Sequence, residues 1–211
     1  MGFGRSGTSL MGGLLKDSGY YMGENLYPPR DSNPKGFFEN DFINGINERI
    51  LSRYDYSETY FVKSNEKVYS PYNPNYGQRW LSYINPNETI QKCDDESFLK
   101  ISEAISKNNF AYKDPRFNYT FKIWDNISSH NIVFICMFRN PEVVADSVMK
   151  ECMNTDYLSN FIINKSIFYE LWYNNYKYIL SNLNDELRKR FLFVDYGQFY
   201  NQDIYVKISN F

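Results

Sequence analysis

Eight residues at the start of the chain, Gly2-Phe3-Gly4-Arg5-Ser6-Gly7-Thr8-Ser9, have the types and spacing of an anion-binding turn. Three glycines in six positions permit positive φ, and the small residues around them let several backbone N–H groups converge on one point. The apolar run at 10–15 has helical spacing, so the free N–H groups and dipole of a helix N-terminus would face the same point. Thr8 and Ser9 are the candidate caps of that helix. A phosphate or sulfate suits such a cradle. The spacing Gly2-x-x-x-x-Gly7 is that of a phosphate loop, except that Thr8 stands where nucleotide triphosphatases carry lysine. The cation is Arg5, inside the loop, whose planar guanidinium offers several donors and keeps its charge. The plainer alternative is a glycine turn between strand and helix with a surface arginine.

Other chemistry-bearing residues stand where apolar stretches end. Arg139-Asn140-Pro141 follows the most continuous apolar run, 132–138, and Ser147 comes eight residues after Arg139. Lys113, Asp114 and Arg116 follow a short apolar stretch at 110–112 that turns at Pro115, and Tyr196 follows the run 191–195. Glu39 sits at the mouth of a helical stripe made by Phe42, Ile43, Ile46, Ile50 and Leu51. Taken singly, each has a structural explanation: a helix-start ion pair for Arg139, an ordinary helix serine for Ser147, a dipole-stabilised acid for Glu39.

To position these residues the chain needs strands that alternate with helices. Residues 1–3 and 20–22 read as short strands around a helix over 8–18 that stops at Gly19. A long Pro- and Asn-rich loop follows at 24–35, of a length that suggests function. Further helices are expected at 42–51, 76–84, 88–107, 117–127, 142–150 (with Pro141 as its first residue), 158–183 and 198–211. Buried strands are expected at 132–138 and 191–195. The order implies an α/β fold in which a central parallel sheet is flanked by helices in three layers, with right-handed crossovers. Ligands of such sheets sit at the carboxyl ends of strands. The opening loop, 113–116, Arg139 and Tyr196 should therefore meet in one cleft.

With 211 residues, a single domain over 1–211 is expected, with a shortened first strand. A net charge of −2 does not advertise nucleic acid or an anionic membrane as partner. Cys93, Cys136 and Cys152 form no CxxC pair and read as reduced thiols. His130 is the only histidine, which leaves a zinc site or a histidine triad almost nothing to draw on, so no metal is expected. No run reaches transmembrane length, and a glycine loop stands where a signal peptide would be apolar, so a cytoplasmic location is the expectation. The 20 Tyr and 17 Phe could serve sugar stacking, with coding bias as the duller cause.

These residues together resemble the sulfotransferases that use 3′-phosphoadenosine 5′-phosphosulfate (PAPS). In that family a basic residue followed by Ser-Gly-Thr and a further Ser or Thr binds the 5′-phosphosulfate, and Arg5-Ser6-Gly7-Thr8-Ser9 matches. An Arg at a later strand end, x-Pro, and a Ser eight residues after the Arg grip the 3′-phosphate; Arg139, Pro141 and Ser147 match in type and spacing. The stretches 113–116 and 194–196 look like further landmarks of the bacterial carbohydrate-type branch, so Tyr196 is counted with Gly4, Arg5, Ser6, Gly7, Thr8, Ser9, Arg139 and Ser147 as donor-binding. The Arg-Lys-Gly segment that closes over the nucleotide in cytosolic members has no counterpart before Phe211, and the expectation is a divergent small enzyme or an incomplete one.

The resemblance implies in-line transfer of a sulfuryl group from PAPS to a hydroxyl acceptor, leaving PAP, with a carbohydrate as the expected acceptor class. Such chemistry asks mainly for positioning and charge stabilisation. Arg5, the loop N–H groups and Lys113 are expected to stabilise the leaving oxygen. Glu39 is the expected general base and Asp114 the runner-up. The loop 24–35 and the stretch 54–87 are the expected acceptor wall. Two alternatives stand beside this: a P-loop kinase using ATP and Mg²⁺, and a PAP- or glycan-binding domain without turnover.

Overall fold

The computed structural model describes residues 1–56, 61–63 and 66–211. The fold is mixed α/β. Helices α1 (Thr8–Asp17) and α2 (Asp41–Leu51) precede a small antiparallel pair, β1 (Phe61–Lys63) and β2 (Glu66–Val68). Then come α3 (Asp95–Ile105), α4 (Phe117–Ile127), β3 (Phe134–Phe138), α5 (Pro141–Asn154), α6 (Lys165–Ser181), α7 (Asp185–Arg188), β4 (Phe191–Asp195) and α8 (Asp203–Ser209).

β3 and β4 form a parallel two-stranded sheet in register from Phe134 opposite Phe191 to Phe138 opposite Asp195. The opening residues lie along the other side of β3. The Met1 ammonium donates to the Ile135 carbonyl (2.9 Å), the Met137 N–H donates to the Met1 carbonyl (3.1 Å), and Gly2 bridges Met137 in parallel. The segments at 20–22 and 110–112, expected as strands, meet in one parallel bridge between Tyr21 and Phe110.

Helix ends follow local chemistry. Gly7 and Gly19, at φ 92° and 90°, bracket α1, where a side chain on the same backbone would be strained. Asparagine caps four helices: Asn40 on α2, Asn140 on α5, Asn164 on α6 and Asn184 on α7, each accepting one or two of the backbone N–H groups that begin the helix. Asp94 does the same for α3. Part of the asparagine load thus starts helices.

Several expectations need correction. The helix expected over 76–84 is a single 3₁₀ turn, Arg79–Leu81, because prolines and asparagines on both sides leave no room to propagate it. The helix expected from residue 88 begins at Asp95, where the Asp94 cap fixes it. The long helix expected from 158 begins at Lys165, after a 3₁₀ turn at Asp156–Leu158, because Asn164 caps there. The helix expected over 198–211 splits into a 3₁₀ turn at Tyr196–Tyr200 and α8. Aromatic rings make up the bulk of the largest fully buried side chains, among them Trp124, Tyr119, Tyr178, Phe3, Phe121 and Phe168, while others such as Tyr76 and Tyr200 are exposed. Tyr119 meets Tyr178 edge to face at 5.0 Å, an arrangement that ring quadrupoles favour.

Candidate functional site

The opening loop is held from beneath. Ser6 is fully buried, its N–H returning to the Phe3 carbonyl (3.1 Å). The Tyr176 hydroxyl accepts from the Phe3 N–H (3.2 Å) and donates to the Met137 carbonyl (2.9 Å), fastening the loop to β3. Two glycines are required by close approach: a Cβ on Gly4 would stand 2.5 Å from the Trp80 ring, and one on Gly7 would stand 2.3 Å from the Tyr196 ring. α1 begins at Thr8 with Gly7 as its N-cap and no capping side chain, so the capping role expected of Thr8 and Ser9 is not filled. The Ser9 hydroxyl instead donates to the Phe37 carbonyl (3.4 Å) and accepts from Asn33 (3.0 Å), tying the 24–38 loop over the turn. Among the described residues, no protein acceptor faces the N–H groups of Gly7, Thr8 and Ser9, and the first turn of α1 carries no acid.

The two motifs meet. Arg5, itself at φ 70°, donates from Nε to the Ser147 hydroxyl (2.8 Å), 142 positions away in sequence. Its fork also donates to the Ser32 carbonyl (2.7 Å), and one terminal nitrogen lies 4.0 Å from Glu151 on α5. Arg139, at the end of β3, lies over the face of Tyr196, 4.2 Å from the ring centroid, and the same ring presses on Gly7. Among the described residues the Arg139 guanidinium has no hydrogen bond and no carboxylate partner.

Lys113 and Glu39 form an ion pair, and Asn44 donates to the other Glu39 oxygen (2.8 Å). Burial pushes the Glu39 carboxyl upward, but Lys113, then Arg116 and Asn44, outweigh it and hold the group below its ordinary value. Both oxygens of the expected base are thus engaged. Asp114 has a different fate: fully buried, it accepts from Asn47 (2.9 Å), from the Arg116 N–H (2.9 Å) and from the Arg116 fork (3.0 Å). Burial raises its carboxyl above the usual range against the pull of Arg116. Arg116 continues to Glu48 (2.6 Å), whose second oxygen takes Arg79 (2.6 Å). Asp114 and Arg116 therefore belong to a buried ion network that ties 113–116 to α2.

The structure brings Arg5, Ser147, Gly7, Tyr196 and Arg139 into one contact chain, and Lys113 into a pair with Glu39. Burial, with Glu151 and Glu39 adding to it, pushes the Tyr157 hydroxyl upward. The part of the expected acceptor wall at 57–60 and 64–65 falls outside the described residues. Sequence reading missed Glu151, Glu48, Asn44 and Ser32. Of these Glu151 carries a signal, since it stands four residues after Ser147 on α5 and so on the same helical face. Among the described residues no cluster of His, Cys, Asp and Glu could hold a metal, and no helix is long and apolar enough to cross a membrane.

No protein-family model, curated protein or solved structure was found to match the chain.

Proposed function

We propose that this chain is a PAPS-dependent sulfotransferase of a three-layer, P-loop-like α/β fold, acting in the cytoplasm on a hydroxyl of a carbohydrate or similar small acceptor. One observation supports the reading: both members of the second motif are tied to the opening loop, Ser147 by its bond from Arg5 and Arg139 through the Tyr196 ring that lies on Gly7. A donor phosphorylated at both ends of one nucleoside needs two such points.

The residues fit that donor. The N–H groups of Gly7, Thr8 and Ser9 have no protein acceptor among the described residues and stand at a helix start without an acid, which suits the 5′ group. Arg139, over the Tyr196 ring and without a carboxylate partner among the described residues, suits the 3′-phosphate, and Ser147, already accepting from Arg5, keeps its own O–H to donate there. When bound, PAPS supplies a sulfuryl group on a phosphate leaving group. Lys113 and Arg5 supply positive charge where the leaving oxygen becomes anionic. Glu39 then gains basicity as Lys113 turns from it toward that oxygen, because its depressed pKa rests on the Lys113 contact. Acceptor contacts come from Trp80, whose ring lies against Gly4.

The test is transfer of labelled sulfuryl from PAPS across a panel of sugars, phenols and alcohols, with and without Mg²⁺. Transfer without Mg²⁺, lowered on the order of 10² or more by Glu39→Gln while PAP affinity holds, is the expected result. Tight PAP binding with transfer to no acceptor would make the chain a binding domain. Mg²⁺-dependent phosphoryl transfer from ATP would replace the reading altogether.

A further inference from the structure

Around the Arg5 guanidinium two polar atoms are buried without a hydrogen-bond partner among the described residues: Glu151 Oε2 and Ser32 Oγ. Glu151 is only 4% exposed, and a carboxylate oxygen enclosed without a donor is costly. Its nearest cation is Arg5, at 4.0 Å, beyond hydrogen-bond length. Arg5 meanwhile donates to the Ser147 hydroxyl and to the Ser32 carbonyl. The arginine sits between two claimants: a buried acid behind it and an anion site in front.

We propose that Glu151 is a positioning residue that holds Arg5 back from the loop, so that an anion must draw the guanidinium away from a buried acid in order to bind. The charge arithmetic is direct. With Arg5 turned toward Glu151 the buried carboxylate has a counter-charge, and with Arg5 turned toward a bound anion it has none. Each anion therefore pays for that separation, which weakens stray monoanions and leaves the loop responsive to groups of higher charge. Ser147 is the pivot, because its hydroxyl accepts from Arg5 Nε. The inference rests on the anion-site reading above and adds to it a residue outside both motifs.

Titration calorimetry with inorganic pyrophosphate, and separately with PAP and ADP, on the whole chain tests this. Glu151→Gln keeps the shape and removes the competing charge, so pyrophosphate and PAP should both bind about fivefold to tenfold tighter than to wild type. Glu151→Asp draws the carboxylate back by one methylene and should give a smaller tightening in the same direction; it carries the test if the glutamine variant does not fold. A merely structural role would weaken binding or leave it unchanged, and either result overturns the proposal. Tightening of pyrophosphate with PAP no better than ADP would sink the donor assignment while leaving the role of Glu151 standing. A preference for PAP with no effect of either substitution would do the reverse, and no anion binding at all would end both.

Discussion

Arg116 and Arg5 are the same residue type in opposite circumstances. Arg116 is 5% exposed and meets Glu48 at 2.6 Å and Asp114 at 3.0 Å, while Arg79 takes the remaining Glu48 oxygen. Every charge there has an answer within the protein. Arg5 and Arg139 meet hydroxyl, carbonyl and ring, and the nearest acid to Arg5 stands off at 4.0 Å. A charge-paired network, in which only Arg79 Nε is left without a partner among the described residues, fastens α2 to α4; a pair of cations without a close carboxylate is what a ligand completes.

Breaking the charge-paired side should give the largest effect. Arg116→Ala leaves Glu48 and Asp114 enclosed without their shared cation, and should cost about 3–5 kcal/mol in urea unfolding. A loss under about 1 kcal/mol would mean that the network is ornamental. On the other side Arg139→Ala should change stability little, yet weaken PAP on the order of 10²-fold by calorimetry, because a charge-assisted contact is lost while no buried acid is orphaned. If the same substitution instead unfolds the chain, the two arginines are alike and the contrast fails.

Gly7→Ala sharpens the comparison from the backbone side. A Cβ 2.3 Å from the Tyr196 ring, on a residue at φ 92°, must move the ring that supports Arg139. A stability loss of about 1–3 kcal/mol is expected, with a parallel loss of PAP affinity. Unchanged PAP binding would detach Tyr196 from the site.

How much of this was legible in the sequence depends on the range of the interaction. The opening loop, α1, α4, β3, β4 and the proline start of α5 follow from glycine placement, apolar period and caps, all of which are local. The strand segments at 20–22 and 110–112 were legible as extended chain, but not as one isolated bridge, because pairing depends on distant partners. Arg5 and Arg139 could be read as anion ligands from motif spacing. That Lys113 would be taken by Glu39, and Asp114 and Arg116 by Asn47 and Glu48, could not, since those partners come from α2 and its approach, more than sixty positions away for each bond.

The smallest expected effect is in pH. Glu39 is held below its ordinary value in the fold, so its contribution to stability is present above the unfolded value near 4.5 and lost as pH falls through the folded one. Buried Asp114 has the opposite sign, its folded value being raised, so its part diminishes as pH rises from the unfolded toward the folded value. Glu39→Gln should therefore lower the neutral plateau toward the acid end, flattening the acid limb between them. An unaltered limb would mean that the Lys113 contact does not persist in solution.

The bipartite anion site is tested most directly by comparing PAP with ADP on wild type and Arg139→Ala, by calorimetry in the absence of Mg²⁺. Both ligands carry two phosphate groups on one adenosine, but only PAP has one on the 3′ oxygen. Wild type should bind PAP at least tenfold more tightly than ADP, and Arg139→Ala should erase that preference. Equal binding of the two by wild type, or a preference that survives the substitution, would contradict the account.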